Sequence, residues 1–151
     1  MNIMPESVAQ RLIAGETLIA DKFDNATILF SDLVGLLDLN LSAYELVQTL
    51  NEIIHQFDEL SISFNLEKIK TIGSKYFCTG GLKPDGPNEL NHVERTFEFA
   101  VRLSEVVSLF NEEHDLNIGI RVGINSGPIV AGVCGVLKYA YDVWSDAVNV
   151  S

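Results

Sequence analysis

Short unbroken apolar runs alternate along this chain with stretches whose apolar residues recur every three or four positions. Ala26-Thr-Ile-Leu-Phe-Ser31 is apolar and partly β-branched, as a strand buried on both faces requires. Ser42-Ala-Tyr-Glu45 then has the spacing of a capping box, and Leu46, Leu50, Ile53, Ile54 and Phe57 follow at helical intervals, predicting a helix of about four turns. Glu67 to Ile72 and Lys75 to Thr79 flank Gly73-Ser74, and glycine at the first central position favours a type II′ hairpin turn. From Glu89 to Asn111, Val93, Phe97, Ala100, Val101, Val107 and Phe110 form a second helical stripe, expected to pack on a sheet. Ile118-Gly-Ile-Arg-Val-Gly-Ile124 alternates strictly, as a strand with one buried face does. Asn125-Ser-Gly-Pro128 is expected to turn the chain into a further apolar strand, Ile129 to Val133.

The order strand, helix, strand, strand, helix, strand predicts an α+β fold, a ferredoxin-like βαββαβ two-layer sandwich with an extra hairpin strand. Such sheets host RNA binders, metal carriers, sensors and nucleotidyl-transfer sites, so the residues must choose among them.

Composition narrows the choice. The 151 residues with 47% hydrophobic content suffice for one domain with its own core. Acidic residues outnumber basic ones 21 to 10, and the formal net charge of −11 repels nucleic-acid backbones and anionic membranes. No nucleic acid and no direct membrane contact are expected, and the strands lack the basic-aromatic signature of RNA-binding sheets. Cys78 and Cys134 lie in separate apolar runs, which argues against a disulfide framework or a multi-cysteine zinc site and fits a reducing, cytoplasmic setting. No apolar run reaches the roughly 20 residues of a membrane span. His55, His92 and His114 are scattered without metal-ligand spacing and are expected at the surface, and Trp144 is expected to be a packing aromatic.

In the expected sheet the first strand runs antiparallel beside the hairpin, which sets Asp32 next to Ser74. Carboxylates at both places would hold two divalent cations about 4 Å apart, the arrangement that clamps attacking and leaving oxygens in phosphoryl transfer. Only one is present, and either residue also suits an ordinary turn. Leu33-Val-Gly-Leu-Leu37 places a glycine and several backbone N–H groups before a helix, where an anion can be held without a basic side chain. Lys70 reads equally as a solvated strand lysine, and Asp142 and Asn149 as turn residues or as hydrogen-bond partners of a purine and a sugar.

Four stretches taken together carry a resemblance. Asp21-Lys-Phe-Asp-Asn-Ala-Thr-Ile-Leu-Phe-Ser-Asp-Leu-Val-Gly35, Glu67-Lys-Ile-Lys-Thr-Ile-Gly73, Ile120-Arg-Val-Gly-Ile-Asn-Ser-Gly-Pro-Ile-Val-Ala-Gly-Val133 and Tyr141-Asp-Val-Trp-Ser-Asp-Ala-Val-Asn-Val-Ser151 closely resemble the catalytic domain of class III adenylate and guanylate cyclases. Residues 1–20, with Pro5 to Gly15, look like the helical lead-in that joins such domains to an upstream sensor or membrane module, leaving 21–151 as the catalytic domain.

The resemblance implies a head-to-tail homodimer, or a heterodimer with another cyclase domain, whose composite sites take metal-binding acids from one subunit and nucleotide-selecting residues from the other. It makes Asp32 and the Leu33 backbone carbonyl metal ligands for Mg2+ or Mn2+. It turns the backbone of Val34, Gly35, Leu36 and Leu37 toward the phosphates, assigns adenine recognition to Lys70 and Asp142, and makes Asn149 the catalytic residue that orients the ribose. Guanine-selective members usually carry a glutamate and a small or thiol residue at the Lys70 and Asp142 positions, so ATP is the expected nucleotide. The implied reaction is attack of the ribose 3′ oxygen on the α-phosphorus, which forms 3′,5′-cyclic AMP and expels pyrophosphate.

Three departures qualify this. Ser74 occupies the place of the family's second metal aspartate, and a neutral hydroxyl is a poor ligand for a hard divalent cation, so metal binding is expected to be weak. Leu36-Leu37 replaces the usual phenylalanine-threonine, and the family's transition-state arginine would fall beyond Ser151. Two readings follow: an adenylate cyclase domain of low activity on its own, or a catalytically degenerate module that binds nucleotide or dimerises to regulate a partner.

Overall fold

A computed structural model describes residues 4–16, 18–87, 89–134 and 140–144. After a short helix α1 (Glu6–Ile13), the chain runs β1 (Ala20–Val34), α2 (Ala43–Ser63), β2 (Glu67–Ile72), β3 (Lys75–Gly80), α3 (His92–His114), β4 (Gly119–Cys134) and β5 (Ala140–Trp144). The strands form one antiparallel sheet in the order β2-β3-β1-β4-β5, so the first four are arranged as the split βαβ pattern predicts.

Helix α2 starts where the sequence places it. Ser42 Oγ accepts from the Glu45 N–H at 3.1 Å while the Glu45 carboxylate accepts from the Ser42 N–H at 3.3 Å. At 21 residues it is longer than the expected four turns, nearly six. It packs Ile53 and Phe57 against the sheet with Leu29, Tyr76 and Cys78.

Helix α3 corrects the expected stripe. Its buried residues are Arg95, Thr96, Phe99, Leu103, Val107 and Phe110, whereas Val93, Phe97 and Val101 are exposed, Phe97 by 65%. Positions 93, 97 and 101 follow one another four apart, and at about 100° per residue Phe97 lies roughly 200° around from Phe99, so the helix carries two apolar ridges and docks one. The orientation is held by Arg95, which donates to the Phe64 and Leu90 carbonyls and to Asp85, tying the polar loop after β3 to the helix.

The second correction concerns Asn125 to Pro128. These residues do not reverse the chain: β4 continues through them as a single 16-residue strand, and the extra hairpin strand is β5, not Ile129 to Val133. The turn-forming composition marks a bend. Phe23 pairs with Ile129 and Ala26 with Gly127, so Asp24 and Asn25 of β1 bulge opposite Pro128, a residue with no N–H to give the ladder.

Beyond this bulge the paired ends of β1 and β4, with β5, swing over the face of the sheet opposite α2 and α3. A flat sheet would hold its edge strands β2 and β5 about 19 Å apart, four spacings of about 4.8 Å. Here Lys70 Nζ of β2 lies 2.7 Å from Asp142 Oδ2 of β5. The fold-over encloses a second core of Ala26, Ile28, Ile69, Ile129, Ala131 and Val143, capped by Val8 of α1.

Close approach at the bend fixes one glycine. A Cβ on Gly132 would stand 2.3 Å from the Ile19 carbonyl oxygen, a backbone atom that cannot step aside alone. Gly132→Ala is expected to cost about 1–3 kcal/mol in chemical denaturation; an unchanged midpoint would contradict the close packing of β4 on the start of β1. Burial raises the Cys78 thiol above its ordinary range. Cys78 should therefore resist iodoacetamide at pH 8 in the folded protein and react once denatured, as peptide mass spectrometry will read.

Candidate functional site

Asp32 stands at the end of β1 in register with Lys75 of β3 and Arg121 of β4. The turn between β2 and β3 closes over it. Gly73 adopts φ +57°, as the first central residue of a II′ turn requires, and Ser74 follows with negative φ. The Ser74 carbonyl accepts from the Leu33 N–H at 3.2 Å, and the Ser74 hydroxyl donates to Asp32 Oδ1 at 2.8 Å. The adjacency expected from topology is thus present, and one carboxylate oxygen is already engaged by the serine.

The chain leaves β1 through Gly35, whose φ of +88° only glycine adopts without strain, and through Leu36, whose buried side chain pins the loop to the core. Leu37 is almost wholly exposed, at 87%. Val34, Gly35, Leu36 and Leu37 all line a cavity of about 590 Å³ together with Asp32 and Ser74. The same cavity is bordered by Lys75, Arg121 and Asp38.

Lys75 and Arg121 escaped the sequence reading. Their signal was the alternation itself: Lys75 follows the turn serine, and Arg121 is the polar step between Ile120 and Val122, so both read as solvent-facing strand residues. Only the register, which sets both opposite one aspartate, gives them a place at the site.

Lys70 and Asp142 lie at a second place on the folded-over face. Besides its ion pair with Asp142, the Lys70 ammonium sits 5.4 Å from the centroid of the Phe77 ring, and Asp142 Oδ1 accepts from the Val143 N–H at 2.8 Å. Both side chains remain about a quarter exposed. Lys70 is therefore not a free strand lysine, and Asp142 lies inside β5 rather than in a turn. Asn149 lies outside the described residues, as do the side chains of Trp144 and Cys134.

The histidines behave unequally. His55 is exposed and pairs with Glu59, and exposed His114 stacks on Phe110. His92 corrects the expectation of a surface residue: it is half-buried, with Nδ1 2.7 Å from Thr27 Oγ1, which also lies 3.0 Å from Ser126 Oγ.

A pair of divalent ions does not fit the Asp32 pocket. Hard cations take six or more oxygens with carboxylates prominent among them, and the pocket offers Asp32, half engaged by Ser74, and Asp38 on the loop beyond, offset by two cationic side chains on the adjoining strands. No cluster of three or more His, Cys, Asp or Glu side chains suited to a metal occurs among the described residues.

Comparison with known proteins agrees with this architecture. The family model for the adenylate and guanylate cyclase catalytic domain matches residues 18–151. An adenylate cyclase of Mycobacterium tuberculosis is 38% identical over 153 residues, covering 99% of this chain and 34% of its own length. A membrane guanylyl cyclase of Dictyostelium discoideum is 35% identical over 151 residues, covering 99% of this chain and 10% of its own length. The dimeric guanylyl cyclase domain of the RhoGC fusion protein from the aquatic fungus Blastocladiella emersonii superposes with a TM-score of 0.76 at 30% identity, over 89% of this chain and 74% of that one. The chain thus spans 34% and 10% of these two longer relatives, and among its described residues no helix is long and apolar enough to cross a membrane. The match of the family model over residues 18–151 takes in the whole sheet and the cavity-lining loop after β1, so the chain belongs to the class III adenylate and guanylate cyclase catalytic domains.

Proposed function

We propose that this chain is an adenylate-type cyclase domain that works as one half of a dimer, reading the base of ATP with Lys70 and Asp142 and contributing an impaired phosphate-side pocket at Asp32. The observation that carries the reading is the Lys70–Asp142 pair. One donor and one acceptor held 2.7 Å apart match the adjacent acceptor N1 and donor N6 amino group of adenine, and the family's guanine-selective members place other residue types there. The Phe77 ring beneath the ammonium keeps the lysine in place. Asn149, at the position matched to the ribose-orienting residue, would align the 3′ hydroxyl with the α-phosphorus. In the overall step the 3′ oxygen bonds to phosphorus, the bond to pyrophosphate breaks, and the hydroxyl proton leaves to solvent.

Asp32, the Leu33 carbonyl and the position of Ser74 correspond to the metal-binding corner, and the serine leaves it one acid short. In a mixed dimer the partner domain would hold Mg2+ or Mn2+ while this chain selected the base. Residues 1–20 would couple the domain to an upstream sensor on the cytoplasmic side. A second reading, a degenerate module that binds nucleotide without turnover, draws support from the Ser74 hydrogen bond that already satisfies Asp32 Oδ1.

A cyclase assay with Mn2+ separates the two. The unaltered chain is expected to produce little cyclic AMP, and Ser74→Asp to raise the rate at least about 100-fold, equivalent to about 2.7 kcal/mol of transition-state stabilisation. Efficient turnover by the unaltered chain would sink the assignment of Ser74 as the lost acid, and a Ser74→Asp variant that folds, binds ATP and stays inert would favour the degenerate module. Base selection has its own check: Lys70→Glu combined with Asp142→Cys should exchange the preference for ATP over GTP in equilibrium binding. Retained ATP preference would refute the role given to the pair.

A further inference from the structure

The pocket around Asp32 is acid-poor in more than the loss of one aspartate. Residues directly opposite in an antiparallel pair point to the same face with Cβ atoms about 4.5–5.5 Å apart. Asp32 is opposite Lys75 on one side and Arg121 on the other, so a single carboxylate sits between two cations. Neither Lys75 nor Arg121 has an ion-pair partner within 4.0 Å among the described residues, and both are exposed. Counting Asp38, the charged side chains lining the cavity sum to zero on a chain whose formal net charge is −11. Relative to a site with acids at both metal positions, the serine removes one negative charge and leaves Asp32 opposite Lys75 and Arg121. Lys75 and Arg121 offset Asp32 and Asp38, so a divalent cation finds no net attraction here, while two cationic side chains without ion-pair partners among the described residues stand ready for a polyphosphate.

We propose that the Asp32 pocket binds the triphosphate of a nucleotide directly, with the Lys75 ammonium as a built-in cation, so that nucleotide binding by this chain does not depend on a divalent metal. The proposal rests on the reading of the chain as a nucleotide-binding cyclase domain and names how its phosphate side is held. Ser74 and Lys75 then act together: the hydroxyl donates to Asp32 and takes up part of its charge, which leaves the neighbouring ammonium available to phosphate oxygens.

Titration calorimetry of the whole chain with ATP, in EDTA and in Mg2+, tests it, with inorganic tripolyphosphate as a probe that needs the phosphate pocket alone. ATP is expected to bind in EDTA at least as tightly as in Mg2+, and tripolyphosphate to compete. Lys75→Ala should weaken binding in EDTA about 10-fold or more, equivalent to about 1.4 kcal/mol, and Lys75→Arg should retain it. Combining Ser74→Asp with Lys75→Ala should make binding depend on Mg2+ or Mn2+. Lys75 is exposed, so these variants should keep the thermal melting profile of the parent. ATP bound only with metal, or bound equally by Lys75→Ala in EDTA, would overturn the proposal and leave the cyclase reading standing. Absence of ATP binding under every condition would overturn both.

Discussion

The bend shared by β1 and β4 is the constraint from which the rest of the molecule follows. Two long strands stay paired through a bulge at Asp24 and Asn25 opposite Pro128, so the sheet folds over itself instead of continuing flat. What holds the fold-over is apolar burial more than charge. The Lys70–Asp142 pair is about a quarter exposed, and such pairs contribute about 0.2–1 kcal/mol, whereas each of Ile28, Ile69, Ile129 and Val143 contributes roughly 1.5–3 kcal/mol on full burial. The ion pair is therefore a product of the bend that the second core enforces, and its two partners meet because the hydrophobic layer beneath them closes.

The two faces of the sheet divide the labour. Helices α2 and α3 cover one face and partly shield a polar cluster at its edge, where Tyr76 donates to Asp58 at 2.8 Å and Lys68 lies 3.0 Å from the same carboxylate. Burial raises the Tyr76 hydroxyl well above its ordinary range, so it remains a donor to Asp58. The other face carries Lys70 and Asp142, and the pocket at Asp32 opens where β1 ends. Rigid packing on the first face thus positions charge on the second.

The local rules were legible wherever a residue acts within its own element. The capping box of α2, the glycine of the hairpin turn and the adjacency of Asp32 and Ser74 all follow from spacing and strand order. The misreadings arose where tertiary structure decides. Periodicity shows that α3 has apolar ridges but not which of two will dock, because Arg95 and the loop it anchors choose the rotation. Turn composition at Asn125 to Pro128 signals a break in regular pairing, and bulge and reversal share that signature. Lys75 and Arg121 gain meaning only through register, a property of strand pairs rather than of any one segment.

Strand β2 carries its own irregularity, between Lys68 and Lys70. Two residues apart, the lysines would ordinarily share a face; with Ile69 as the extra residue, Lys68 pairs opposite buried Cys78 and reaches Asp58, while Lys70 pairs opposite Phe77 and reaches Asp142. Loss of Ile69 would make the lysines adjacent, and ordinary pleating would still send them to opposite faces, but it would take a fully buried side chain out of the second core. The irregularity thus lets one short strand set Ile69 into the second core and Lys70 beside Asp142 while Lys68 still reaches Asp58 on the helix-covered side.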